Sequence, residues 1–515
     1  MSTPTQISRV ASFKSPEAFR AHLRTLRVEI PCDDQIVRGA SSPLAQPLEN
    51  VRINGKPILN RYAIQPMEGW DGTTTGGVTD RVMRRWRRFG ASGAKLICGG
   101  EAMAVRADGR ANPNQLVLNQ QNQGDLAKLI DVLLQAHRER FGSNSDPVIG
   151  FQLTHSGRFC KPVDHHRLEP RVAYRHPLLD GRFGVSSDSQ VFTDNEIEGL
   201  IADYVRAARI AWNAGADFVD IKHCHGYLLH EFLSAWHRPG KYGGSFENRT
   251  RILREIIAGI RADNNPIDVG VRLSAFDTVP FKPDPAQSTP GRPGPGVPED
   301  YSRNLPYEYG FGLNAGNPLE VDLTEPLKFL KLCVELGVKI VNLSGGSPYY
   351  NPHVQRPAAY PPSDGYLPPE DPLVGVARQL GVARRLKSQS GQRLVLVGSG
   401  YSYLQEFLPQ VAQSAVRTGW IDIVGIGRMV LSYPEVFTDA LTNGALDAKH
   451  ICRTFSDCTT APRNGLSSGC YPLDEEYASS AEAGQLKQLK RGPRSAPAAH
   501  STSANAGTQA GSGSS

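Results

Sequence analysis

Eight short runs rich in β-branched residues recur along the chain. Each ends in glycine, serine or a polar residue, and longer segments with helical periodicity lie between them. The runs fall at 61–66, 94–99, 147–153, 217–223, 268–274, 339–344, 393–397 and 421–426. Helical spacing fills segments such as 125–140, 194–214, 247–262 and 326–336. Thr193-Asp194 and Thr324-Glu325-Pro326 mark two of the helix starts. Strict alternation implies the α/β class, with a parallel sheet and right-handed crossovers. Eight units favour closure into a (β/α)8 TIM barrel. An open doubly wound sheet shares the alternation. To hold a dinucleotide it would need a glycine-rich turn after its first strand, and Pro66-Met67-Glu68-Gly69-Trp70 stands there instead.

One barrel with long loop insertions absorbs most of the 515 residues. The expected division is an N-terminal extension over 1–43, the barrel over 44–446, a cysteine-containing capping segment over 447–480 and a disordered tail over 481–515. The tail is built from Ala, Ser, Gly and basic residues, with too little apolar surface to offset ordering entropy. The proline- and glycine-rich stretch 280–298 reads as a long loop.

Several classes of function are disfavoured. No apolar run is long enough to cross a membrane. The first residues lack the apolar core of a signal peptide, so a cytoplasmic location is expected. The net charge is +6, part of it in the tail, and no basic stripe with interleaved aromatics points to nucleic acid. The eight cysteines are too sparse in so long a chain for a disulfide scaffold.

In a β/α barrel the reactive groups sit at the C-terminal ends of the strands. The third run ends Gln152-Leu153-Thr154-His155, and the fourth Asp220-Ile221-Lys222-His223-Cys224-His225-Gly226-Tyr227. The fifth carries Arg272, the seventh ends Gly398-Ser399-Gly400, and the eighth ends Gly427-Arg428. An amide, several imidazoles, a phenol and guanidinium groups therefore converge on one rim.

Over roughly 44–437 the chain resembles the old yellow enzyme family of FMN-dependent barrel oxidoreductases. The most specific segment is His225-Gly226-Tyr227-Leu228-Leu229-His230-Glu231-Phe232-Leu233-Ser234, followed by Tyr242-Gly243-Gly244-Ser245-Phe246-Glu247-Asn248-Arg249. The resemblance implies FMN as cofactor, NADH or NADPH as electron donor and a small-molecule substrate. It implies Gln152 at the flavin pyrimidine edge, where an amide supplies both donor and acceptor. It implies Arg272 near the ring, where a permanent cation stabilises the reduced form. Gly398, Ser399, Gly400, Gly427 and Arg428 match a phosphate clamp. Pro66 and Met67 match the segment beneath the reactive edge, and Ala102 the small residue that packs beside it. Tyr227 matches the acid that protonates the substrate, and His225 one of two side chains that hold its carbonyl.

Each assignment has a plainer alternative. Gln152 could close the barrel rim, Arg272 could pair with Asp220, the glycines could only make turns, His225 could be a satisfied rim histidine, and Tyr227 could pack in the core. Two departures matter more. Lys222 stands where the family has a histidine as the first carbonyl holder, and it either donates to an oxyanion, prefers an anionic substrate or pairs with Asp220. His223, one residue on, should face the barrel wall. Glu68 stands where relatives often have Cys or Thr. The leading expectation is NAD(P)H-dependent reduction of an activated C=C bond. A dehydrogenase or demethylase is the alternative, and a barrel that only binds a phosphorylated ligand is a third reading.

Cys452, Cys458 and Cys470 follow the barrel. Larger relatives carry four cysteines there for an iron–sulfur cluster. The gap from Cys458 to Cys470 matches the last two ligands, but Thr454 stands where a thiolate belongs. Reduced thiols without a metal are expected. A Cys3His zinc site with His450 is the minority reading.

Overall fold

A computed structural model describes residues 7–391 and 393–491. All eight expected strands form: β1 (Tyr62–Ile64), β2 (Leu96–Ile97), β3 (Val148–Thr154), β4 (Phe218–His223), β5 (Asp268–Ser274), β6 (Ile340–Ser344), β7 (Val395–Gly398) and β8 (Ile423–Ile426). Each pairs in parallel with its neighbour, and β2 pairs with β3 while β8 pairs with β1, so the sheet closes into a barrel. Helices α1 (Asp80–Gly90), α2 (Gln123–Phe141), α3 (Asp194–Asn213), α4 (Arg251–Ala262), α5 (Thr324–Glu335), α6 (Pro372–Ser390), α7 (Leu408–Arg417) and α8 (Val436–Thr442) follow the strands in turn.

Local chemistry explains the helix starts. The Thr193 hydroxyl accepts from the Glu196 backbone N–H, and the Glu196 side chain accepts from the Thr193 N–H, a reciprocal cap on α3. Thr79 caps α1, and Asp371 caps α6 with Pro372 as its first residue.

Strand phase divides the core. Phe218, Ala63, Leu96, Val148, Ile340, Val395, Val397 and Ile423 fill the barrel interior. Phe218 fits because Gly150 lies beside it: a Cβ there would come within 2.5 Å of the Phe218 ring. Val219, Ile221, Phe151, Val271 and Leu273 belong to the layer between barrel and helices. A hairpin of Leu48–Ile53 and Lys56–Ile58 plugs the N-terminal end with Ile53 and Ile58. That leaves the C-terminal end as the open face.

Residues before the barrel include a helix, Pro16–Thr25, whose Phe19 stacks on Phe407 at 4.5 Å. The stretch 280–298 is a loop that carries a short hairpin of Phe281–Pro283 and Gly296–Pro298. The expectation of disorder from 481 onward needs correction. Ala481–Arg491 form a helix, and Ala483 and Leu486 pack with Ala461, Tyr471 and Tyr477. Their three-residue spacing makes an apolar face that the segment's average composition hides. Residues 492–515 lie outside the described residues. Among the described residues no helix is long and apolar enough to cross a membrane.

Candidate functional site

A cavity of about 420 Å³ opens at the C-terminal end of the barrel. Pro66, Met67, Ala102, Gln152, Lys222, His225, Tyr227, Arg272, Ser399, Gly400, Gly427 and Arg428 all line it. Gly398 does not. Its carbonyl accepts instead from the Gln65 amide at 3.0 Å, deeper in the barrel. Gly425 permits that crossing, since a Cβ there would run into the Gln65 amide.

Three adjacent strands present the inner polar groups. Gln152 on β3 faces Asp220 on β4, and its Nε2 donates to Asp220 Oδ2 at 2.7 Å. Burial pushes the Asp220 carboxyl up to about 6, against the Gln152 hydrogen bond and the charges of Arg272 and Lys222. Lys222 on β4 faces Arg272 on β5. Arg272 donates from Nη1 to the Pro66 carbonyl at 2.8 Å, which joins β5 to the β1 end. Neither cation is bonded to Asp220 among the described residues, which removes the two plainer readings that relied on that pair.

The turn after β4 builds the reactive corner. His225 adopts φ 66, in the left-handed region, and Gly226 follows at φ 77. Two hydroxyls hold the strained turn: Ser274 Oγ accepts from the His225 N–H at 3.0 Å, and Ser347 Oγ donates to the His225 carbonyl at 2.7 Å. The His225 imidazole bonds Ser344 Oγ through Nε2 at 2.8 Å. Burial, then the charges of Arg272 and Lys222, hold that imidazole well below the ordinary histidine range, so it is neutral at physiological pH.

Tyr227 is 1% exposed, and its phenol donates to Glu68 Oε2 and lies 2.9 Å from the Tyr349 hydroxyl. Burial first, then Glu68, raises it well above the ordinary phenol range. The Lys222 ammonium lies 3.4 Å from the Tyr227 ring centroid and 4.0 Å from Glu68 Oε2. Its pKa is lowered by burial, with Glu68 opposing. His223 points the other way, as its strand phase requires, against Phe329 of α5.

Other liners are not signalled by any sequence pattern. Tyr349 follows β6 and stacks on Phe159 at 3.9 Å. Arg356 and Arg463 come from a long loop and from the segment after the barrel, which folds over the mouth and also brings Cys458 of the cysteine cluster to the cavity. That segment is tied to α1 by Arg84–Asp474 and Arg81–Glu482 pairs of 2.8 and 2.7 Å. Arg85 of α1 carries two buried carboxylates, Asp71 and Glu101. Among the described residues no group of three or more His, Cys, Asp or Glu side chains is arranged to hold a metal ion. His450 pairs with Asp447 at 3.0 Å.

Fold and rim together define a β/α-barrel whose cavity is lined by Arg356, Arg428 and Arg463 and by the strand-borne polar groups Gln152, Lys222 and Arg272. Residues 46–288 match the model of the NADH:flavin oxidoreductase / NADH oxidase family. The chain is 25% identical over 408 residues to an NADH:flavin oxidoreductase of Gibberella zeae, covering 75% of this chain and 82% of that one. It is 32% identical over 238 residues to an NADPH dehydrogenase of Geobacillus sp., covering 44% of this chain and 63% of that protein, a little under two thirds of its length. An old yellow enzyme homologue from Zymomonas mobilis has the same fold, with a TM-score of 0.50 and 19% identity over 77% of this chain and 91% of that one.

The cofactor of this class is FMN, and the residues present fit it. Arg428 is half-buried in the cavity wall with no carboxylate partner among the described residues, and loss of solvent beside Arg356 and Arg463 lowers it to about 10. A phosphate dianion suits that cluster. Gln65 Oε1, Arg272 Nε and Arg356 Nη2, all on cavity-lining residues, are buried polar atoms without partners.

Proposed function

We propose that this protein reduces an activated C=C bond with electrons from NADH or NADPH, by alternating half-reactions at one site. Ser399, Gly400, Gly427 and Arg428 would hold the FMN phosphate, Gln152 and Arg272 the ring, and Pro66, Met67 and Ala102 would flank it. When bound, FMN supplies hydride transfer from nicotinamide to substrate. His225, neutral and anchored on Ser344, is a hydrogen-bonding group for a substrate carbonyl. Lys222 supplies positive charge where an enolate oxygen develops. The observation that carries the reading is the Tyr227 phenol, which lines the same cavity as both and is the group suited to protonate the α-carbon. The test is visible spectroscopy of the purified protein. NADH or NADPH should bleach the flavin under anaerobic conditions, and an enone or maleimide should restore it. A bleached protein that no such acceptor reoxidises overturns the reading.

A second reading rests on the direction of one hydrogen bond. Tyr227 donates to a carboxylate, an arrangement that also suits removing a proton from a substrate during its oxidation. Bleaching by an amine or alcohol with no nicotinamide present would favour it.

A further inference from the structure

One wall of the cavity beside Tyr227 is aromatic. Phe159 lies 5.8 Å from the Tyr227 ring, stacks on Tyr349 at 3.9 Å and meets Phe183 edge-on at 4.9 Å. Lys161, two residues beyond Phe159, lines the same cavity and is half-buried. Its backbone N–H donates to the Arg110 carbonyl at 2.9 Å, which fixes where the side chain starts. Its ammonium makes no hydrogen bond or ion pair among the described residues, and Asp364, Asp164 and Glu68 reach it only through space. Each of those carboxylates is engaged elsewhere. Glu68 accepts from Tyr227, Asp364 pairs with Arg463, and Asp164 accepts from the His166 N–H at 2.8 Å. Arg463 is engaged twice, since it also donates to the Pro348 carbonyl at 2.9 Å. A half-buried cation without a partner has lost hydration and recovered little from the protein. Burial accordingly lowers the Lys161 pKa, and an anion beside the ammonium would reverse that shift.

We propose that Lys161 binds an oxyanion carried by the ligand that enters the cavity beside FMN, while the apolar part of that ligand lies against Phe159, Phe183 and Tyr349. The proposal rests on the reductase reading above and adds selection by charge to it. Two ligands of that reading can supply the oxyanion. One is an alkene that bears a carboxylate away from its reacting carbons. The other is NADPH, through its 2′-phosphate. Lys222 does not compete for the role, because its ammonium lies over the Tyr227 ring and 4.0 Å from Glu68. Arg463 does not compete either, because Asp364 neutralises it.

An ammonium on a flexible stem meets an oxyanion as a point charge. Recognition therefore follows the charge at position 161 more than its shape. Arginine should substitute for the lysine, methionine should not, and added salt should weaken the preference.

The experiment compares wild type, Lys161→Met and Lys161→Arg, each loaded with FMN. One arm measures stopped-flow reoxidation of the reduced protein by 4-oxocyclohex-2-ene-1-carboxylate and by its methyl ester. The other measures anaerobic bleaching of the flavin by NADPH and by NADH. If a substrate carboxylate is bound, the carboxylate-to-ester rate ratio should fall by about 10-fold in Lys161→Met and return in Lys161→Arg. If the 2′-phosphate is bound, the NADPH-to-NADH ratio should do so instead. That factor is the lower end for a hydrogen bond to a charged group, because Lys161 is only half-buried. A fall in either ratio supports the proposal and names the source. Two unchanged ratios, a fall that arginine does not restore, or loss of FMN from Lys161→Met overturns it. A second readout needs no turnover: calorimetric titration of the oxidised protein with the saturated 4-oxocyclohexane-1-carboxylate and with NADP+. Lys161→Met should weaken one of the two by the same factor, and a wild type that binds neither overturns the proposal. If no alkene reoxidises the protein, the reductase reading fails, and the calorimetry still decides the role of Lys161.

Discussion

The Lys222 ammonium lies 3.4 Å from the centroid of the Tyr227 ring, Lys222 from β4 and Tyr227 from just beyond the turn that follows it. A cation on that ring stabilises negative charge on the phenol oxygen and on Glu68. Replacing it by Met keeps most of the stem and removes the charge. Lys222→Met should retain FMN and slow the substrate half-reaction by about 10-fold, about 1.4 kcal/mol of transition-state stabilisation. Lys222→His should retain FMN and change the preference among enones, maleimides and quinones. Stopped-flow reoxidation checks both. Loss of FMN from either variant would assign Lys222 to the cofactor.

The barrel was legible because fully buried parallel strands read as apolar runs, and β3 and β4 are buried along their whole lengths. Strand phase also separated Lys222 from His223 correctly, since a period of two leaves no freedom. The shape of the mouth was not legible. Tyr349, Arg356 and Arg463 come from loops whose course depends on contacts far along the chain, such as Arg463 with the Pro348 carbonyl at 2.9 Å. The Glu68–Tyr227 bond joins positions 159 residues apart, beyond the reach of local pattern. Nor does the Gly-Ser-Gly motif reveal that the Gly398 carbonyl accepts from the Gln65 amide, a contact between positions far apart in the chain.

Arg428 should set the preference for a phosphorylated flavin. A hydrogen bond to a charged group is worth about 1.5–3 kcal/mol. Arg428→Ala should therefore weaken FMN binding by about 10- to 150-fold. Riboflavin, which lacks the phosphate, should bind wild type and variant alike. Fluorescence titration of the FMN-free protein measures both ligands. Equal losses for the two flavins would mean that Arg428 acts on the fold or the ring.

Asp220 makes stability depend on pH. Its carboxyl is raised from 3.8 to about 6, so the folded chain holds this proton more tightly than the unfolded chain does. The stabilisation is full below the ordinary carboxylate pKa and is lost as pH rises through about 6. At 1.36 kcal/mol per pKa unit the group contributes at most about 3 kcal/mol to this slope. Asp220→Asn keeps a partner for Gln152 and removes the titration. Urea unfolding at several pH values should show wild type losing more stability than the variant between about pH 4 and pH 7. Parallel curves would show that Asp220 does not titrate in that window.

His223 and His225 are two residues apart yet belong to different layers. His223 packs on Phe329 with its Nε2 buried and unpartnered, and burial lowers its pKa to about 4. Replacing an unsatisfied buried ring by an apolar side chain of similar bulk changes stability by less than about 1.5 kcal/mol. His223→Leu should therefore bind FMN and turn over like wild type. His225→Ala removes a cavity group and should slow the substrate half-reaction by about 100-fold, the cost of one lost transition-state donor. The left-handed backbone at His225 complicates that variant, since alanine is strained there. His225→Asn tolerates the same φ and keeps a side-chain donor. If the imidazole acts by hydrogen bonding, Asn recovers part of the rate. If Asn and Ala are equally slow while both bind FMN and keep the wild-type urea midpoint, the reaction needs the imidazole itself, and hydrogen bonding alone does not account for His225.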